Sequence, residues 1–170
     1  MRAHPRLVAA AALIVGAAAA IPVVTYVIVP QFVKRTLVED LPVATAPPPV
    51  TSAPAQDASA APTVEPLLEG HLVRISVVDY GSGTVRVVRV GSERFVRFEE
   101  VDIAGAPDMY VYLSDRSDGK PGTFVDLGKL KATNGSFNYA IPADVDLAPV
   151  RSVVVWCRRF TVTVTYAVLR

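Results

Sequence analysis

Beyond Pro66 the chain runs in short stretches of β-branched and aromatic residues broken by turn-forming glycine, proline and asparagine, the pattern of antiparallel β structure. About eight strands are expected: His71 to Val78, Thr84 to Val90, Arg94 to Val101, Met109 to Leu113, Thr123 to Leu127, Phe137 to Ile141, Ser152 to Cys157 and Thr161 to Leu169. Gly81-Ser82-Gly83, Gly105-Ala106-Pro107, Asp118 to Gly122 and Asn134-Gly135 punctuate them. In the last strand Phe160, Val162, Val164, Tyr166 and Val168 alternate with Thr161, Thr163 and Thr165, which would lay one apolar face on a core. Val153 to Cys157 is instead unbroken apolar sequence, as expected of a strand covered on both faces. The fold class this predicts is mainly β, an antiparallel sandwich or a closed barrel.

Two different textures precede it. Leu7 to Val33 holds no charged residue, and about twenty helical residues rising ~1.5 Å each cross a hydrocarbon core roughly 30 Å thick. Arg2, His4 and Arg6 lead into it as in a signal sequence, and Ala17 to Ala20 offers a cleavage site. The apolar run continues past that site to Val29, too long for a signal-peptide core, so residues 1–35 read as an uncleaved signal anchor that meets the lipid bilayer through residues 7–33. Pro22 is tolerable there as a kink, and Pro30 as an end to the helix. Arg2 and Arg6 are matched by Lys34 and Arg35, leaving the positive-inside rule silent. The very short leader favours a single-pass protein of the cell membrane with its C-terminal part outside the cytoplasm. Residues 36–66 are rich in Pro, Ala, Ser and Thr and lack tyrosine and tryptophan, the composition of a disordered linker. At about 3.1 Å per residue its stretch between Leu41 and Pro66 would hold the domain, residues 67–170, up to roughly 75 Å from the bilayer.

Charge excludes one function class. Seventeen Lys and Arg face sixteen Asp and Glu over the chain, so nothing marks a nucleic-acid partner. Cys157 is the only cysteine, which rules out an intramolecular disulfide and a paired redox motif.

Three segments, GAPDMYVYLS from Gly105, VDLGKLKATNGSFNYAIP from Val125 and SVVVWCRRFTVTVTYAVL from Ser152, together resemble the DM-thirteen domain. Agreement is strongest at Trp156-Cys157-Arg158-Arg159-Phe160. The resemblance implies a small β-rich domain of a membrane-attached, extracellular, here bacterial, protein. It also implies electron transfer, with Cys157, the cysteine of the Trp-Cys step, as the redox group.

Residue chemistry gives that expectation rivals. A thiolate is the reactive form of cysteine and nearby cations favour it, so Arg158 and Arg159 are suggestive neighbours. In an extended strand Arg159 would share a face with Cys157 while Arg158 points away, unless a turn intervenes. Against this stands a small buried hydrophobe beside a core tryptophan. Thiolate can also hold haem iron, with His71 as a second ligand; a lone histidine at a strand start is more often a surface or turn residue. Zinc would need further ligands. Asp115, Asp118 and Gly119 miss the spacing of a calcium loop and read as a turn. Asn134-Gly135-Ser136 fits a glycosylation acceptor but is first a hairpin turn signal. Tyr110, Tyr112, Phe124, Phe137 and Tyr139 read as core filling before ligand groove, and Arg86, Arg89, Arg94 and Arg97, beside Glu93, Glu99 and Glu100, as a solvated mixed face. A hydrolase would need His71 as its base, with no nucleophile motif near it. The chain therefore reads as an electron-transfer module acting with an extracytoplasmic redox partner, or as a non-catalytic protein- or glycan-binding module with an inert cysteine, before it reads as a stand-alone enzyme.

Overall fold

The computed structural model describes residues 34–42 and 64–170; the expected membrane segment and most of the expected linker lie outside them. Nine strands are present: β1 (Thr36–Val38), β2 (Val64–His71), β3 (Gly81–Val90), β4 (Glu93–Ile103), β5 (Met109–Ser114), β6 (Phe124–Lys129), β7 (Asn134–Ile141), β8 (Ser152–Cys157) and β9 (Val162–Val168). They form two open sheets, ordered β1-β7-β4-β3-β2 and β6-β5-β8-β9. A closed barrel is excluded. Every pairing within the sheets is antiparallel except β1 with β7.

One core serves both sheets, because Val85, Val96, Phe98 and Phe137 of the first pack in a single cluster with Val111, Leu113, Val153 and Val155 of the second. Along one side the sheets are stitched together where β2 meets β9: Leu72 bridges Ala167, Val73 N donates to Tyr166 O, and Glu69 and Arg170 exchange backbone bonds. The opposite face of β8 is covered by the loop between β5 and β6. Ser152 Oγ donates to Arg116 O at 2.6 Å and Thr163 Oγ1 to Gly119 O at 2.7 Å, so Val154 is fully buried as well. That loop is why Val153 to Val155 carry no polar alternation.

Several expectations from sequence are corrected. His71 to Val78 is not a strand; β2 ends at His71 and residues 73–80 form a loop, because Ser76 Oγ accepts from Val78 N and Asp79 N and turns the chain back. Asn134-Gly135 is not a hairpin turn, since β6 and β7 lie in different sheets. Gly135 instead sits within β7 at φ 106°, beside a bulge that skips Glu99 and Glu100 of β4. In β9 a bulge opposite Val155 and Trp156 swaps the alternation. Val162 is therefore exposed, whereas Thr165, Ala167 and Leu169 are buried and Tyr166 lies against Gly119 on the far face.

The linker is also shorter than expected, because both its ends enter the first sheet. Thr36–Val38 pairs with Asn134 to Ser136 of β7, and Val64 pairs with Val90 of β3. Leu37 packs against the core, and polar contacts fix the end of β1. Glu39 accepts from Lys131 Nζ at 3.0 Å and from Asn138 N at 2.8 Å, and Arg97 donates to Glu39 O at 2.6 Å.

Candidate functional site

Four things meet at one end of the domain: the start of β1, the loop from β4 to β5, the loop from β6 to β7, and the last residue of β8, Cys157. The first three frame a cleft of about 420 Å³ whose lining includes Arg35, Pro107, Asp108, Met109, Lys129 and Lys131. Tyr139 shapes one wall from below. Its hydroxyl accepts from Lys131 N at 2.7 Å and donates to Lys129 O at 3.0 Å, tying the β6–β7 loop to a ring that packs edge-on against Phe98 and Phe137.

Cys157 lies directly behind the opposite wall. It pairs with Met109 across β5 and β8, has no exposed surface, and donates its thiol proton toward Pro107 O with Sγ at 2.9 Å. Pro107 thus separates the sulfur from the cleft. Burial pushes the thiol pKa up, and the carboxylates of Asp108 and Asp79 add to the rise. The backbone N–H groups of Phe160 and Arg159 act the other way without prevailing.

Arg158 does not activate the sulfur. A turn intervenes after Cys157, over residues 158–161, with Thr161 at φ 55°. Arg158, the first residue of that turn, points to the outer face of the second sheet. There its guanidinium lies 3.4 Å from the Tyr110 ring centre, donates from Nε to Tyr112 Oη at 2.7 Å and pairs with Asp126. Tyr112 in turn stacks on Phe124 at 4.2 Å. Hence the five aromatics singled out in sequence divide: Phe137 and Tyr139 fill the core, and Tyr110, Tyr112 and Phe124 form an outer cluster under Arg158.

His71 is not brought to Cys157. It is exposed, with Nδ1 3.2 Å from Thr84 Oγ1. The residue after it bridges Ala167, whereas Cys157 pairs with Val162; five strand residues at about 3.3 Å each put roughly 16 Å between the two positions. A haem held between Cys157 and His71 does not fit this arrangement. Among the described residues no cluster of His, Cys, Asp and Glu has the makings of a metal site. Asp118 is bonded to Arg116 in its turn. Arg86, Arg89 and Arg97 pair with Glu69, Glu65 and Glu99 as a mixed face.

Sequence reasoning missed the cleft and the docking of residues 34–40. The only local signal was the triplet Thr36-Leu37-Val38, β-forming residues caught between charges.

The raised thiol pKa fixes a pH dependence. The fold keeps Cys157 protonated where the unfolded chain ionises it, near the ordinary value of 9.0. Its contribution to stability is complete below that pH and is lost as pH rises through the higher folded value. Tyr139, also raised by burial from 10.0, adds a later loss. Thermal denaturation between about pH 8 and pH 10 should show Tm falling from about pH 9 in the wild type, with that earlier step missing from Cys157→Ser. Identical profiles for the two proteins would contradict the assignment.

A family model described as Electron transfer DM13 matches residues 76–169, from the β2–β3 loop to the end of β9. No curated protein and no solved structure matches the chain.

Proposed function

The chain belongs to the DM13 electron-transfer family, and on that premise we propose that it is a membrane-tethered β-sandwich module, held outside the cytoplasm, in which Cys157 is the redox group. The observation that carries this reading is the position of the sulfur. The protein's sole cysteine ends a central strand behind one residue of cleft wall, Pro107, in the stretch that the family match covers.

Burial selects the kind of chemistry. Thiol–disulfide exchange requires a thiolate to attack in line at a reachable sulfur, and Cys157 is neither ionised nor reachable. An electron need only cross the wall to an acceptor seated in the cleft. In that step sulfur gives one electron to the acceptor, the S–H proton leaves past Pro107 O toward the cleft, and a thiyl radical remains on Cys157 until an electron returns. With Lys131 paired to Glu39, Arg35 and Lys129 against Asp108 still favour an anionic acceptor in the cleft.

Ferricyanide, an anionic one-electron oxidant, tests this on the folded full-length chain. Wild type should reduce about one equivalent, and Cys157→Ser should reduce none. A second reading, the binding module with an inert cysteine, draws on the same burial and raised pKa. It requires the two proteins to behave alike until they are unfolded.

A further inference from the structure

We infer that the end of the domain carrying Cys157 rests on the bilayer surface, with the loop between β2 and β3 as its contact and anionic lipid headgroups as its partner. This rests on the proposed anchor at residues 7–33. The argument begins where that segment stops. Lys34 follows it immediately and is bound to Asp102 at 2.8 Å. Arg35 N donates to Thr133 Oγ1 at 3.0 Å, and Arg35 O accepts from Thr133 N and Asn134 N. With both residues built into the domain, the chain between Val33 and β1 has no slack. Three residues extend at most about 11 Å. The Pro/Ala-rich segment adds no reach, because it connects two strands of the same sheet rather than the anchor to the domain.

The surface at that end suits a membrane. Ile75, Val77 and Val78 project from the β2–β3 loop, Val77 with 87% of its surface exposed. Phe160, 45% exposed, tips the neighbouring β8–β9 turn. Cations flank the apolar tip. Arg74 lies 4.6 Å over the Tyr80 ring, and Tyr80 is close enough to Lys34 to act on its ionisation. Neither Arg35 nor Arg74 forms an ion pair among the described residues. Apolar side chains inserted at the headgroup boundary, with Lys and Arg toward anionic phosphates, are how a peripheral surface holds a bilayer. Seated so, the cleft opens at the lipid surface.

The test uses full-length protein reconstituted in phosphatidylcholine vesicles containing a minority of phosphatidylglycerol. An environment-sensitive thiol fluorophore is attached at Val77→Cys or, at the opposite end in the β3–β4 turn, at Ser92→Cys. Buried Cys157 stays in place, and the parent protein is the labelling blank. With lipids spin-labelled near the headgroup, the label at position 77 should be quenched severalfold more than that at 92. Equal, weak quenching at both sites in protein that floats with the vesicles and resists alkaline extraction would overturn the inference while leaving the anchor intact. Protein that fails to float would remove the anchor, and the inference with it.

Discussion

Phe98→Ala should cost about 3–5 kcal/mol of folding stability, the largest loss expected from any single truncation in the core. Phe98 has no exposed surface, stacks on Phe137 with ring centres 5.0 Å apart and meets Tyr139 edge-on at 5.8 Å. Truncation therefore removes the transfer energy of a ring and leaves a void that the rigid sheet cannot fill. The damage extends to the cleft. Tyr139 holds both Lys129 and Lys131 through its hydroxyl, and it keeps that position by packing against Phe98. With a urea slope of about 1–3 kcal/mol per M, the unfolding midpoint should fall by about 2 M at unchanged slope. A shift under about 0.5 M would mean that the two sheets do not share the core described above.

Gly135→Ala should detach β1. Gly135 lies at φ 106°, and a β-carbon there would sit 2.1 Å from Leu37 O, so the substitution both strains the backbone and drives into the neighbouring strand. The strain alone costs about 1–3 kcal/mol. Gly128→Ala isolates that part, because Gly128 has φ 103° with nothing within 4 Å of the added carbon. Hydrogen exchange should show the amides of Thr36–Val38 losing protection in Gly135→Ala and keeping it in Gly128→Ala. Equal protection in the two would show that β1 yields without leaving β7. In vesicles, release of β1 should also lengthen the leash on the domain and weaken quenching at position 77.

Much of this architecture is legible in the sequence, and the misreadings have physical causes. Ser152–Cys157 was recognisable to the residue, because an apolar run buried on both faces has no alternation to confuse. By contrast β9 misleads: its valine–threonine alternation is regular, but a bulge set by pairing with β8 changes which residues face inward. Asn134-Gly135 carries the local chemistry of a hairpin, and tertiary pairing with β1 and β4 overrides it. Thr36–Val38 is too short to announce itself and depends on polar partners nearly a hundred residues away, Lys131 and Asn138. The site divides in the same way. The turn that carries Arg158 to the outer face was only an open alternative in the sequence, whereas Cys157 was singled out by resemblance to the family's Trp-Cys step. Its protonated, walled-off state was not legible, since it depends on Pro107 reaching across from another loop.

The central claim is that Cys157 exchanges electrons through a wall rather than by direct contact of its sulfur. One folded sample of the full-length chain, divided between a disulfide reagent and ferricyanide, tests it most directly. The account predicts that the thiol ignores the disulfide reagent until denaturant is added, yet is oxidised stoichiometrically by ferricyanide in the native state, with both signals absent from Cys157→Ser. A native protein inert to both reagents, whose thiol appears only on unfolding, would contradict the claim and leave the cysteine a buried hydrophobe of the core.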